Sequence, residues 1–154
     1  MPGKKNLRVR LSKESVLTID RSRMWKSRMT YILVANKKLK YPSGRTTHIL
    51  YIGTTRKGAK RPAASAVEKA MSLFGEERGV KQIGIYLLNS ESRRNVRTWQ
   101  KLESALLAVF RQRYFKLPQE NKKKGEYGNE DDIRYFRHEN LVNILRVFEE
   151  KPKL

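Results

Sequence analysis

Two short runs rich in β-branched and aromatic residues constrain this chain most. They are Thr30-Tyr31-Ile32-Leu33-Val34-Ala35 and the stretch from Thr46 to Gly53, which ends in His48-Ile49-Leu50-Tyr51-Ile52-Gly53. Runs of this length and composition read as strands. Between them, residues 36–45 carry three lysines, Pro42 and Gly44, a turn signal of hairpin type. The two runs are therefore expected to pair as antiparallel strands. Apolar residues then recur at helical spacing over about Ala63–Phe74 (Val67, Ala70, Met71, Phe74), with Gly75 near the end. A third strand fits Val80–Leu88, and the longest helical pattern runs over about Val96–Tyr114, stopped before Pro118. A polar loop from Asn121 to Asp131 precedes a last helix, Ile133–Phe148, bearing Phe136, Leu141, Ile144 and Leu145. The order β-β-α-β-α-α implies an α+β domain, a small antiparallel sheet with helices packed on it.

Charge narrows the partners. The 154 residues suit one domain, and 35 Lys and Arg against 15 Asp and Glu give a formal net charge of +20. Self-repulsion of that size is tolerated best when the usual partner is a polyanion, so nucleic acid leads. An anionic membrane would call for a basic amphipathic helix with a bare apolar face, and none stands out. The absence of cysteine excludes disulfides and thiolate metal sites, and His48 and His138 are too few for a histidine-built zinc site. Met1-Pro2-Gly3-Lys4-Lys5 opens no signal sequence and no stretch approaches a membrane span, so the expected location is cytoplasmic, in the nucleoid or nucleus with DNA. Residues 1–28 are basic and mixed; they read as an arm that orders on its partner or as a packed element, with Val16–Trp25 fitting either a short helix or a strand.

Glu103 is out of place on the long helix. Trp99, Leu106 and Leu107 lie four before, three after and four after it, which sets a carboxylate beside or within the stripe that faces the core. A carboxylate there needs a cation, a metal or strong donors. A salt bridge to an arginine at the edge of the core is one answer. A Mg²⁺ ligand facing a cleft is the other, since Mg²⁺ often takes only one or two protein carboxylates and keeps several waters. For a phosphodiester, Arg61 or a near neighbour supplies the cation for the non-bridging oxygens. Tyr31, Tyr51 or His48 supplies the base for the attacking water.

Tyr31, Tyr51-Ile52-Gly53, Arg61, Glu103 and Pro118-Gln119-Glu120-Asn121, taken in order, resemble the GIY-YIG endonuclease family over roughly residues 29–122. Arg61 stands eight positions after Gly53, as the family's arginine does, and Leu102-Glu103-Ser104-Ala105-Leu106-Leu107 matches its glutamate within an apolar helix. The resemblance implies a three-stranded antiparallel sheet flanked by helices; the basic N-terminal arm (1–28) and the loop and C-terminal helix (123–154), expected to pack on the same domain, lie outside the matched stretch. The resemblance also implies one-metal hydrolysis of DNA, with Mg²⁺ or Mn²⁺ on Glu103, the scissile phosphate on Arg61 and Asn121 supporting the site. Tyr31 and Tyr51 would orient or deprotonate the water. Four departures stand out: the first tripeptide reads Met29-Thr30-Tyr31, the gap from Tyr31 to Tyr51 is longer than usual and is absorbed by the lysine-rich hairpin 36–45, Ser65 occupies a position where many members have His or Tyr, and Thr54 one where some repair members have Lys.

Arg56, Lys57, Lys60, Arg93, Arg94, Arg97, Lys122 and Lys123 form the expected nucleic-acid surface. Six to eight phosphate contacts would lower affinity by about three to five orders of magnitude between low and moderate salt. A single active site cuts both strands only as a homodimer or by two sequential nicks. Two other readings compete: a non-catalytic nucleic-acid-binding protein of ribosomal or architectural type, and a nuclease-derived subunit that has lost activity.

Overall fold

The structure is a computed structural model and describes residues 13–14, 27–56, 58, 60–76, 79–121 and 128–154. Lys57, Lys122, Lys123 and nearly all of the basic arm lie outside the described residues. The chain runs β1 (Met29–Lys40), β2 (Thr46–Thr55), α1 (Lys60–Glu76), β3 (Ile83–Leu88) and α2 (Thr98–Tyr114). A 3₁₀ turn (Glu130–Tyr135) and α3 (His138–Val147) follow. The sheet is three-stranded in the order β2-β1-β3, with both pairings antiparallel. The expected α+β architecture is observed.

β1 is central, and Tyr31, Ile32, Leu33, Val34 and Ala35 are all fully buried. A strand covered on both faces reads as a continuous apolar run, which is why the sequence marked it so clearly. The hairpin is tighter than expected. Asn36–Lys40 continue β1, and only Tyr41–Arg45 turn, closed by the Tyr41 amide on the Arg45 carbonyl at 2.9 Å. Gly44 adopts φ 81°, a left-handed conformation that glycine takes without strain. Asn36 accounts for the lengthened strand: its side chain accepts from the amides of Lys81 and Gln82 and donates to Gly79, tying β1 to the approach to β3. β3 accordingly starts at Ile83 and not at Val80.

α2 lies across β1 and β2 and buries Leu102, Leu106, Leu107 and Phe110, while Trp99 is only half-buried. Phe110 and Tyr114 join Tyr41 in an aromatic cluster with centroid separations of 4.2–5.4 Å. Tyr114 donates to Glu149, which also accepts from Arg113, so the end of α2 is fastened to the C-terminal segment. The single helix expected over Ile133–Phe148 is two elements. Asn129 caps the 3₁₀ turn by accepting from Asp131, and Phe136 and Arg137 are extended. The break lets Asp132 bond Lys101 on α2 at 2.8 Å, while Leu141 and Leu145 bury separately on α3.

α1 overturns its sequence pattern. Val67, Met71 and Phe74, expected to face the core, are 42%, 79% and 42% exposed. The helix instead turns Pro62, Ser65, Lys69 and Leu73 inward. No helix among the described residues is long and apolar enough to cross a membrane.

Candidate active site

β1 and β2 align Tyr31 directly opposite Gly53, and Leu33 opposite Tyr51. Side chains on alternate residues share a face, so Tyr31, Tyr51 and the bare backbone of Gly53 meet on the face that α1 covers. The tyrosine rings lie 5.9 Å apart. A Cβ on Gly53 would collide with the Tyr51 ring and sit 3.0 Å from Cζ and Oη of Tyr31. The glycine is thus the floor on which both rings converge. Gly53→Ala is expected to push the rings apart and destabilise the fold by about 1–3 kcal/mol, as overpacking does. Thermal melts and nicking assays on the variant check this, and wild-type behaviour in both would argue against a close-packed floor.

α1 supplies the other wall. Arg61, Ser65 and Lys69, spaced by four, share a helical face. The Tyr31 and Ser65 hydroxyls share a hydrogen bond at 3.0 Å, and Lys69 Nζ lies 5.7 Å from the Tyr51 ring centre. Lys69 also pairs with the buried carboxylate of Glu120 at 3.7 Å. Arg61 is exposed, and its positive charge acts on the Tyr31 phenol. Burial holds the Tyr31 phenol above its ordinary value of 10.0; the Ser65 bond, the Arg61 charge and contacts with Tyr51 and Arg61 pull it back only in part. At neutral pH the phenol therefore keeps its proton.

Glu103 approaches from the other helix. It is half-buried on α2 and accepts from Thr54 Oγ1 at 3.3 Å. Thr54 directly follows Gly53 and pairs with Thr30, whose hydroxyl donates to the Trp99 carbonyl at 2.8 Å. These two threonines register α2 on the strand ends; by alternation they face away from Tyr31 and Gly53, so Glu103 stands at the same end of the sheet as the tyrosines but on its opposite face. A threonine at 54 thus serves to orient the carboxylate.

Asn121 is buried and works as a third strand edge. Its Nδ2 donates to the Ile52 carbonyl at 2.8 Å, and its Oδ1 accepts from the Ile52 amide at 3.0 Å. The Glu120 amide donates to Leu50 at 2.9 Å, so the Pro118–Asn121 turn pairs with the open side of β2 behind Tyr51-Ile52-Gly53. Asn121 touches backbone and holds the tripeptide in place.

His48 is not part of this constellation, contrary to its place among the candidate bases. It is buried, with Nδ1 2.7 Å from the Ala35 carbonyl and its amide bonded to Phe148, and burial lowers its pKa. It is committed to joining the hairpin to the C-terminal segment. Lys69 and Glu120 are the residues that sequence reasoning missed as neighbours of Tyr51; the four-residue spacing from Arg61 through Ser65 to Lys69 was the available signal. Among the expected nucleic-acid contacts, Arg56, Lys60, Arg93, Arg94 and Arg97 are all exposed.

Among the described residues no three His, Asp or Glu cluster to hold a metal. Glu103 offers a single oxygen donor set held in place by a hydroxyl. That chemistry fits Mg²⁺, which completes its shell with waters and substrate phosphate oxygens. Comparison with protein-family models, with curated proteins and with solved structures finds no match to this chain.

Proposed function

We propose that this protein is a divalent-metal-dependent endonuclease of GIY-YIG type that hydrolyses DNA phosphodiester bonds. The observation that carries the reading is the convergence of Tyr31 and Tyr51 over Gly53, with the Arg61 charge acting on Tyr31 and Glu103 bonded to the adjoining Thr54. A binding protein gains nothing from turning a polar helix face inward and leaving Val67 and Met71 in solvent. A site that needs Arg61 and Ser65 beside Tyr31 does.

Each residue has a defined task. Arg61 neutralises charge growing on the non-bridging oxygens of the scissile phosphate. Tyr31, steered by Ser65 and backed by Tyr51, hydrogen-bonds the attacking water and, in the fraction of molecules that carry it as phenolate, accepts its proton. Glu103 would hold the divalent ion, which when bound supplies charge neutralisation at the leaving oxygen. Lys69 adds positive charge behind Tyr51, and Glu120 fixes its position. The exposed cations Arg56, Lys60, Arg93, Arg94 and Arg97 grip the backbone without reading sequence. Two protomers, or two sequential nicks, give a double-strand break.

The test is nicking of supercoiled plasmid by purified protein with Mg²⁺ or Mn²⁺. Binding with no cleavage across metals, pH values and substrates would favour the non-catalytic reading, with which the charge of +20 is equally compatible. The pH profile is a sharper check. The active form of Tyr31 is the phenolate and its pKa is raised, so the rate climbs with pH by about tenfold per unit through neutrality, with no plateau near pH 7. Tyr31→Phe removes that dependence along with most of the rate. A wild-type profile flat from neutral to alkaline pH would take Tyr31 out of the proton transfer.

A further inference from the structure

A second concavity sits at the start of α2, apart from the tyrosines. Its volume is about 390 Å³, and its lining includes Asn95, Arg97, Gln100, Lys101, Asp132 and Tyr135. Lys101 and Asp132 neutralise each other at 2.8 Å, so the unbalanced charge of the lining is that of Arg97. Arg134 stands beside the Tyr135 ring at 5.5 Å and adds a second cation at the rim. Exposed Arg93 and Arg94 lie just before it on a tight turn closed by the Val96 amide on Arg93. The lining thus combines a cation, two side-chain amides and an aromatic ring in a space of nucleotide size. Guanidinium suits a phosphate, the amides of Asn95 and Gln100 suit base edges, and the ring suits a base.

Position links the cavity to the proposed active site. Gln100 and Glu103 are three residues apart on α2, so they share a flank about 4.5 Å apart along the axis, and Arg97 lies about 9 Å from Glu103 on the same scale. One DNA strand rises about 3.4 Å per nucleotide. A strand running along α2 would therefore place the cavity within about one to three nucleotides of a phosphate held near Glu103.

We propose that this cavity is a subsite for a single unstacked nucleotide of the bound strand, flanking the scissile phosphate. Arg97 takes its phosphate, Gln100 and Asn95 take the base edge, and Tyr135 forms the wall against which the base rests. The subsite rests on the nuclease reading for its role and on its own lining for its ligand. It gives the enzyme a preference for single-stranded or distorted DNA, in which a base leaves the stack at little cost.

Metal-free binding of a short single-stranded oligonucleotide tests it separately from cleavage. Tyr135→Leu is expected to weaken single-strand binding by about tenfold, and Arg97→Ala to reduce the salt slope by about one. Lys116→Ala, an exposed cation away from the cavity, serves as the control. Gln100→Ala reads the same site should Tyr135→Leu fail to fold. In a titration followed by NMR, adenosine monophosphate should shift Gln100, Lys101 and Tyr135 more than inorganic phosphate at equal concentration. Equal responses to both ligands, with Gln100→Ala and Arg97→Ala indistinguishable from Lys116→Ala, would overturn the subsite even if plasmid is nicked. Selective binding by a protein that nicks nothing would uphold the subsite and discard the nuclease.

Discussion

Glu103→Ala is expected to abolish metal-dependent nicking while leaving DNA affinity in metal-free buffer nearly unchanged. The carboxylate is half-buried and aligned by Thr54, so its removal deletes the anionic oxygens that would hold the metal. A loss of at least about 10²–10³ in rate is the scale seen when a fixed group stabilising transition-state charge is removed. Affinity survives because binding is spread over many cations, each neutralising one phosphate. Folding should survive as well, since α2 still buries Leu102, Leu106, Leu107 and Phe110. Glu103→Gln keeps the shape and the Thr54 contact but carries no charge, and should be as inactive as Ala. Equal cleavage by wild type and Glu103→Ala would remove Glu103 from the metal site. Parallel loss of binding and cleavage would make it a structural residue.

Asn121→Ala should give the largest loss of stability among single changes near the site. One side chain satisfies both the amide and the carbonyl of Ile52 from a buried position. Each buried group left without a partner costs about 1–3 kcal/mol. The carboxamide is the only side chain that presents a donor and an acceptor in this arrangement. Asn121→Asp keeps the acceptor for the Ile52 amide but sets a carboxylate oxygen against the Ile52 carbonyl, so it should be no better than Ala. Urea denaturation measures both, and a shift within about 0.5 kcal/mol for either would show that the turn pairs with β2 without Asn121. Because Ile52 sits between Tyr51 and Gly53, nicking should fall together with stability in both variants.

The strands and the long helix were readable from local pattern. The short apolar run Tyr31–Ala35 marked β1 as a buried strand, and Pro42 and Gly44 marked where the hairpin reverses. Three features were not readable, each because a distant contact outweighed a local preference. Asn36 is an ordinary turn residue until Gly79, Lys81 and Gln82 come beside it. The run Ile133–Phe148 looks continuous until Asp132 must reach Lys101. Val67, Met71 and Phe74 read as a core stripe until α1 turns Ser65 and Lys69 toward the tyrosines.

The proposed site divides along the same line. The resemblance to GIY-YIG endonucleases supplied Tyr31, Tyr51, Gly53, Arg61, Glu103 and Asn121 as a set, because such a motif is carried by order and spacing along the chain. Composition supplied the +20 charge that makes a polyanion the natural partner. Tertiary structure decided which groups share a space. It removed His48 to the hairpin, placed Ser65 on Tyr31 and Thr54 on Glu103, and made Asn121 a brace for Ile52. Those assignments depend on strand register and on the rotation of α1 about its axis. Both are set by packing between residues far apart in the chain, which no local pattern encodes.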